Sequence, residues 1–600
     1  MNAEIRDKTK VLIILAVIAM IGCFYLFTIR AGHEWGDDFG LYILHAKNLA
    51  EGKSYSDTAY IPNPLYSNMS PKATYPVLPI LLAPVYKVFG LNLTALKIVV
   101  LTFFLGVLVV LFLTYRTLLP FHYLVGLILL IGLNPYFWDF KDHILSDVPF
   151  LFFVYATLYA IQRYYDAPTW DRSSFNLAYA SLVGILIYLS YGTRAIGGLL
   201  IPTLVAFDMV RVKGLSRFAI SVSVIAGSLI IVQGVALPGP GISYVGWIHE
   251  NVRADYFNLV SSGLLKYAIG LSVLWDNGYS RVIKYGVYFV FIVLAAVGFR
   301  KRITDAVMVH EVFFILYLLT LLIIPGSEFR YIVPIIPLYV VYGLIGTREI
   351  SSAGSPRSLQ YVPIMVAVAV VLSYAAMFTK VNYGPIPEGV SRIESQELFR
   401  YIREHTQPTD VVVFRKPRAL ALFTGRRVSI FPKPTDNPSV WDGTAWNYFR
   451  DIGARYLVVA VARHAHGPEE LRDIEWVRQF VERCNDRCKE VFVNADFRVY
   501  ELKYLQGHNS LQRPVLNGPL YGWHLPVVLI GPAVRISWVD NRIRVNSPLH
   551  SFNCDRARSS TVTDDVSDLR RAEPSDQCNE SSKGDLRDHA RWLQVRRGSV

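Results

Sequence analysis

Charged residues and cysteines are scarce in this 600-residue chain. Only 18% of its residues are Asp, Glu, Lys or Arg, against about 25% in soluble domains, whereas 52% are hydrophobic. This bias, spread over runs of roughly 20 apolar residues, indicates a protein that crosses a membrane many times. The five cysteines are too few for a disulfide framework. Cys484 and Cys488 could pair in an oxidising compartment or stay unpaired as structural residues.

Sequence motifs for nucleotide cofactors are missing as well. The part of the chain with the composition of a soluble α/β domain has no GxGxxG, Walker or metal-ligand pattern. The net charge of +13 would suggest a nucleic-acid partner for a soluble protein. Many Lys and Arg residues, however, lie in short loops between apolar runs, where they orient the chain in a membrane. The basic residues therefore do not support a nucleic-acid partner.

Eleven apolar segments predict eleven transmembrane helices. They lie at residues 11–29, 94–115, 119–134, 148–161, 176–191, 195–210, 217–236, 284–299, 307–324, 332–346 and 361–378. The first resembles an uncleaved signal anchor. With the N-terminus inside, nearly all the Lys and Arg residues of the connecting loops are cytoplasmic, while the opposite turns carry mainly Lys141, Arg194 and Arg330. The positive-inside rule thus predicts a multi-pass protein of the cell (inner or plasma) membrane, with a cytoplasmic N-terminus.

Three larger pieces then fall on the outer side: loop 30–93, loop 237–283 and everything after Lys380. Loop 30–93 contains two predicted interfacial helices, of which the second covers residues 75–90. Residues 381–505 predict an extracytoplasmic α/β domain, because strand-like segments such as DVVVF and ARYLVVAV alternate with helical ones. Residues 506–600 predict a low-order tail. The predicted fold is a polytopic α-helical membrane domain over residues 1–380, followed by these two parts.

Charged residues near the predicted outer membrane boundary are candidates for a functional site, since polar groups at that depth are costly. Carboxylates there could accept a proton, and guanidinium groups suit a phosphate. Simpler roles are open: the acids could cap the helices that follow them, the arginines could anchor turns or pair with Asp147 or Glu328, and the loop pair could be solvated. The candidates are Asp37, Asp38, Asp147, Arg194 and Arg330, with His249 and Glu250 in the second outer loop.

Five segments occur in a fixed order along the chain: DDFGLYILHAKNLAEGKSY, YPVLPILLAPVYKVFG, SDVPFLFF, TRAIGGLLIP and RYIVPIIPL. In this order they resemble the GT-C superfamily of polyprenyl-phosphate-sugar-dependent glycosyltransferases. The group they are most similar to contains bacterial relatives of protein O-mannosyltransferase and the lipid A aminoarabinose transferase. The resemblance covers roughly residues 10–380, with a family-like outer domain to about residue 505. It implies the GT-C type of membrane fold.

The resemblance also implies a reaction: transfer of a hexosyl or pentosyl group, with inversion, from a polyprenyl-phosphate-linked donor to a hydroxyl group. The acceptor would be a lipid, a glycan or a protein on the outer face of the membrane. The alternatives are a transporter or flippase for a lipid-linked saccharide, and a non-catalytic envelope assembly protein. A transport function would not explain the large acidic first loop. Transporter sequences also usually show paired repeats or broken helices.

The resemblance assigns roles to individual residues. Asp37 or Asp38 matches the catalytic base, with Asp37 preferred, and Asp147 matches a second acidic position. Arg194 and Arg330 match arginines that hold the donor phosphate. Lys72 is the nearest equivalent of a lysine that some members use, although its spacing from Pro76 departs from the pattern. The one cofactor suggested is a divalent metal, for which His249 and Glu250 are the candidate ligands.

Overall fold

The computed structural model describes most of the chain up to Tyr504 and two short segments beyond it. The described residues are 2–66, 73–167, 176–237, 260–261, 263–323, 329–352, 357–435, 437–461, 468–484, 486–504, 535–539 and 542–546. The chain divides into two units, Met1–Asn509 and Ser510–Val600. Of the predicted site residues, Lys72, His249 and Glu250 lie outside the described residues.

The first unit is mostly helical up to Phe378. Its helices in this part are α1 (Asn2–Phe27), α2 (Asp38–Glu51), α3 (Val77–Phe89), α4 (Leu93–Tyr115), α5 (Phe121–Gly132), α6 (Pro135–Phe140), α7 (Asp147–Tyr165), α8 (Leu177–Thr193), α9 (Leu200–Val212), α10 (Arg217–Ala236), α11 (Gly263–Trp275), α12 (Arg281–Asp305), α13 (Val309–Ile323), α14 (Ile336–Ile350) and α15 (Val362–Phe378). Short 3-10 turns precede α9, α14 and α15, at Ala195–Leu199, Phe329–Ile335 and Arg357–Tyr361.

A helix lies at each of the eleven predicted membrane segments. Among the described residues, seven helices are long and apolar enough to cross a membrane: α1, α4, α9, α10, α12, α14 and α15. For α9, α14 and α15 this length includes residues of the 3-10 turn that precedes the helix. The other four, α5, α7, α8 and α13, do not meet both conditions, so eleven crossings remain a prediction. The helices pack around one large apolar core, which runs from Ile14 in α1 to Tyr374 in α15.

After α15 the chain forms an α/β region with four helices and five strands of one sheet. The elements are α16 (Ile393–His405), β2 (Val411–Val413), α17 (Pro417–Thr424), β3 (Arg427–Ser429), α18 (Pro438–Asp451), β4 (Ala454–Ala460), α19 (Pro468–Arg483), β5 (Cys488–Val493) and β6 (Phe497–Leu502). With β1 (Tyr60–Ile61), which precedes α3 in the chain, the strand order is β1-β3-β2-β4-β6-β5. The first four strands in this order are parallel, whereas β6 runs antiparallel to both β4 and β5.

The sixth strand comes from the loop at residues 30–93. β1 (Tyr60–Ile61) pairs in parallel with β3, so that Tyr60 faces Val428. Residues of α2 and α3, including Phe39 and Leu78, share an apolar cluster with residues of α16 and α17 such as Phe399 and Leu420. The α/β region is therefore built together with the first loop, and α17 lies directly against α2.

The second unit is described only in two strands, β7 (Arg535–Val539) and β8 (Arg542–Asn546), which pair in an antiparallel sheet. The remainder of the predicted low-order tail lies outside the described residues.

Candidate active site

The acidic pair Asp37–Asp38 stands at the start of α2 and faces two different surroundings. Asp37 is buried, with 5% of its side chain exposed. Its Oδ1 accepts hydrogen bonds from the backbone N–H groups of Arg418 (2.9 Å) and Ala419 (3.2 Å). These are early N–H groups of α17, which have no partner within their own helix. Asp37 makes no side-chain cap bond to α2, so it caps α17 instead of the helix that follows it.

Gly40 permits this close approach of the two helices. A Cβ atom added at this position would lie 2.8 Å from the backbone nitrogen of Ala419 and 2.9 Å from the carbonyl carbon of Arg418. Backbone atoms cannot move aside as the end of a flexible side chain can. A residue without a side chain is therefore needed in the first turn of α2 for the N-terminus of α17 to reach Asp37.

Asp38 is partly open, with 38% of its side chain exposed, and lies between two arginines. Its Oδ2 accepts a hydrogen bond from Arg330 Nη1 at 2.9 Å, and its Oδ1 accepts one from Arg418 Nη1 at 3.2 Å. Burial acts to raise the pKa of Asp38, but Arg330, Arg418 and Arg194 together outweigh it and lower that pKa to about 2. Asp38 is thus an ionised carboxylate at neutral pH.

The pKa of Asp37 shifts in the opposite direction. Burial raises it above the usual range, and the charges of Arg418 and Lys416 and the hydrogen bond from Ala419 oppose this only in part. The two neighbouring carboxyl groups therefore have pKa values that are pushed apart by their surroundings.

A cavity of about 250 Å³ is lined in part by Arg330, the partner of Asp38. Asp147, Arg194 and Arg330 line it together, along with Tyr331 and apolar residues of α7 and α13. Arg194 forms an ion pair with Asp147, and its guanidinium carbon lies 5.5 Å from the centre of the Tyr331 ring. Arg330 is 5.9 Å from the same ring. Three residues distant in sequence thus meet at one cavity, and Asp38 joins them through Arg330.

Hydrogen bonds fix the elements that carry these groups. Tyr42 in α2 donates to Ser146, the residue before Asp147, at 3.0 Å. Behind them, Asp142 accepts hydrogen bonds from the backbone N–H of Arg30 at 3.1 Å and from its Nε at 2.6 Å. The loop before the acidic pair is therefore tied to the loop before Asp147.

No protein-family model matches the sequence, and the comparison with curated proteins gives no match. Solved structures do match. ArnT from Cupriavidus metallidurans, bound to undecaprenyl phosphate, is 12% identical with a TM-score of 0.50, over 82% of this chain and 97% of that one. The archaeal oligosaccharyltransferase AglB from Archaeoglobus fulgidus, in complex with an inhibitory peptide and a dolichol-phosphate, is 11% identical with a TM-score of 0.52, over 83% and 75%. The fold is that of the GT-C glycosyltransferases.

Within this fold, four of the predicted site residues lie close together. Asp147, Arg194 and Arg330 line the same cavity, and Asp38 contacts Arg330. The simpler possibility that Arg194 pairs with Asp147 is also realised. The roles of these residues in a reaction remain predictions.

Sequence reasoning missed Arg418. Its side chain is only 4% exposed and contacts both acidic residues, with Nε 3.5 Å from Asp37 Oδ2 and Nη1 3.2 Å from Asp38 Oδ1. Its guanidinium carbon lies 5.1 Å from the centre of the Tyr60 ring. One signal was present: residues 415–418 read RKPR at a helix start, where cations are disfavoured unless acidic partners lie nearby.

The surroundings of the carboxylates do not resemble a metal site in the part of the chain that the structure describes. No three His, Cys, Asp or Glu side chains are grouped to hold an ion there. Each acid of the site already faces an arginine, which favours an anionic ligand over a cation. Another structure of the Archaeoglobus fulgidus oligosaccharyltransferase contains Zn and sulfate; it is 13% identical with a TM-score of 0.50, over 74% of this chain and 67% of that one.

Proposed function

We propose that this protein is an integral-membrane glycosyltransferase that moves a sugar from a polyprenyl-phosphate donor to a hydroxyl group on the outer face of the membrane. The observation that carries the proposal is the meeting of Arg330, Arg194 and Asp147 at one cavity in a GT-C fold, with Asp38 paired to Arg330. Ionised carboxylate beside guanidinium groups supplies both a proton acceptor and a phosphate site. The neighbours' ligands, undecaprenyl phosphate and dolichol-phosphate, have the matching chemistry.

The proposed orientation has the N-terminus in the cytoplasm, eleven crossings and the α/β region outside. A disulfide between Cys484 and Cys488 supports the outer position of the α/β region, because disulfides persist in oxidising compartments. The site then lies at the outer boundary, between α2 of the first loop and the turns before α9 and α14, at the depth of a lipid-linked phosphate.

Asp38 is the proposed base. The oxygen of the acceptor hydroxyl attacks the anomeric carbon of the donor sugar, the bond from that carbon to the phosphate oxygen breaks, and polyprenyl phosphate leaves with the bonding electrons. The acceptor proton passes to the carboxylate of Asp38, and attack opposite the leaving group inverts the anomeric centre. Asp38 suits this step better than Asp37 because it is partly exposed, whereas Asp37 is buried and already accepts two backbone hydrogen bonds.

Arg330 and Arg194 are the proposed ligands of the donor phosphate. Both line the cavity, yet both are paired with carboxylates in the structure. A phosphate must therefore compete with Asp38 for Arg330. That competition favours the reaction: when Arg330 turns to the phosphate, Asp38 loses a positive neighbour, its pKa rises, and it becomes a stronger base.

Mass spectrometry of envelope glycans and polyprenyl lipids tests the proposal. Cells lacking the protein should lose one glycosidic linkage and accumulate a polyprenyl-phosphate sugar, and the wild-type chain should restore the linkage. An Asp38→Asn variant present in the membrane at the wild-type level should not restore it. Restoration by this variant would refute the base assignment and favour an assembly role. Movement of an intact lipid-linked sugar across liposomes, with no linkage formed, would identify a transporter.

A further inference from the structure

Arg418 links the α/β region to the acidic pair through contacts with both carboxylates. It belongs to α17, some 380 positions after Asp38 in the chain, and its side chain is almost fully buried. The cavity lining includes Arg330 and Arg194 but not Arg418. Because Arg418 is buried and does not line the cavity, we expect a donor phosphate held there to recruit Arg330 and Arg194 and to leave Arg418 on Asp38.

The two oxygens of Asp38 are bound by two different arginines. Arg418 binds Oδ1, and Arg330, which lines the cavity, binds Oδ2. If the donor phosphate recruits Arg330, Oδ2 is released while Oδ1 stays held. The carboxylate then has one fixed oxygen and one free oxygen, and the free one is the oxygen that Arg330 had bound.

We infer that Arg418 is a positioning residue: by binding Asp38 Oδ1 it orients Oδ2 as the oxygen that takes the acceptor proton. The inference rests on the proposed function. It makes the α/β region part of the catalytic apparatus, since α17 delivers the arginine and Asp37 fixes the start of α17. The acceptor O–H bond breaks as the proton binds Oδ2, with the sugar transferred as described above.

Several charged or titratable groups face Asp38, and each enters the expected pH dependence. They are Arg418 on α17, Arg330 before α14, Arg194 at the end of α8, Asp37 at the start of α2, and Tyr42 on α2. Loss of the Arg418 charge raises the pKa of Asp38, because a positive neighbour stabilises the carboxylate. The acid limb of the rate profile should therefore move to higher pH in an Arg418→Gln variant. A role confined to packing would leave the limb in place.

The experiment uses full-length variants in proteoliposomes, fused with membranes from cells that lack the protein, which supply donor and acceptor. The initial rate of linkage formation is measured against pH, and binding of undecaprenyl phosphate to each purified protein is measured by native mass spectrometry. Arg418→Gln should lower the rate by about 10- to 100-fold while keeping undecaprenyl phosphate binding within about twofold of wild type. Arg330→Gln should weaken binding itself.

Two further variants separate positioning from folding. Arg418→Lys keeps the charge without the fork that contacts both acids, so it should recover part of the rate and the wild-type acid limb. Arg403→Gln is the matched control, because Arg403 donates to the carbonyl of Phe423 at the other end of α17. It should behave as wild type. If Arg418→Gln fails to fold, the Lys variant carries the test.

The possible outcomes are distinct. A wild-type rate and acid limb in Arg418→Gln would overturn the inference and leave the proposed function standing. Loss of undecaprenyl phosphate binding in Arg418→Gln to the level of Arg330→Gln would overturn it also, since Arg418 would then hold the donor. Two results together would overturn the inference in favour of packing alone. The Lys variant would have the wild-type rate and acid limb, and the Gln variant would have a low rate but an unshifted acid limb. Absence of linkage formation by the wild-type protein would refute the proposed function itself.

Discussion

Replacement of Asp37 should weaken the docking of α17 onto α2 before it affects the chemistry. Asp37→Ala removes the oxygen that caps α17 and leaves the N–H groups of Arg418 and Ala419 buried without a partner. A lost cap costs about 0.5–2 kcal/mol, and an unsatisfied buried donor about 1–3 kcal/mol. These terms overlap, so we expect a loss of about 2–4 kcal/mol in the free energy of unfolding of the α/β region. Asp37→Asn keeps the oxygen, and asparagine caps nearly as well as aspartate, so it should lose about 1 kcal/mol or less.

Thermal unfolding of the purified variants in detergent, followed by tryptophan fluorescence, measures the order of stability. We expect wild type and Asp37→Asn to unfold close together and Asp37→Ala clearly earlier. The second readout is the rate of linkage formation at a temperature where all three proteins are folded. The rate of Asp37→Asn should stay within about tenfold of the wild-type rate, because loss of a general base lowers a rate by about 10²- to 10⁴-fold. A stable Asp37→Asn protein with a base-sized loss of rate would refute the division of roles and make Asp37 the base.

Three further predictions follow from single contacts. Gly40→Ala should destabilise the contact between α2 and α17 and lower the transfer rate, because the added Cβ would meet backbone atoms of α17. Gly36→Ala, with nothing within 4 Å of the added atom, should behave as wild type. Unfolding midpoints and transfer rates of both variants check this. With the pKa of Asp38 lowered to about 2, kcat/KM of the wild-type protein should show no acid limb from this group between pH 7 and pH 5, since the base stays ionised; a pH profile at low donor concentration checks this. Reduction of the Cys484–Cys488 disulfide should destabilise the α/β region by about 2 kcal/mol, the loop-closure value for so short a loop; unfolding with and without reductant measures it.

Four of the residues that the structure brings together could be selected from the sequence. Asp38, Asp147, Arg194 and Arg330 each stand near the end of an apolar run, and the alternation of inside and outside loops places such ends on one side. Periodicity and hydropathy are local signals, and these were sufficient to select the four residues as candidates for one site. They also located α16, α19 and strands β2, β4 and β5.

Contacts that join distant segments had no such signal. Arg418 meets Asp37 and Asp38 only because α17 docks on α2, and β1 enters the sheet as a strand of two residues, too short to show an alternating pattern. Burial of the first loop against the α/β region is a property of the tertiary fold. The capping hypothesis illustrates the limit: a cap on the helix that follows was the expectation, but Asp37 makes no side-chain cap bond to α2. It caps α17 instead, about 380 positions away.

The adjacency of the two carboxylates has a geometric reason. Successive residues at a helix start are rotated by about 100° around the helix axis, so neighbouring side chains cannot face the same surroundings. At the beginning of α2 one direction leads to the N-terminus of α17 and the other to Arg330, which lines the cavity. Asp37 takes the first and Asp38 the second, while Arg418 contacts both. Docking of the α/β region and orientation of the proposed base thus depend on the same few atoms, so a change that loosens α17 should lower transfer even where the cavity is left intact.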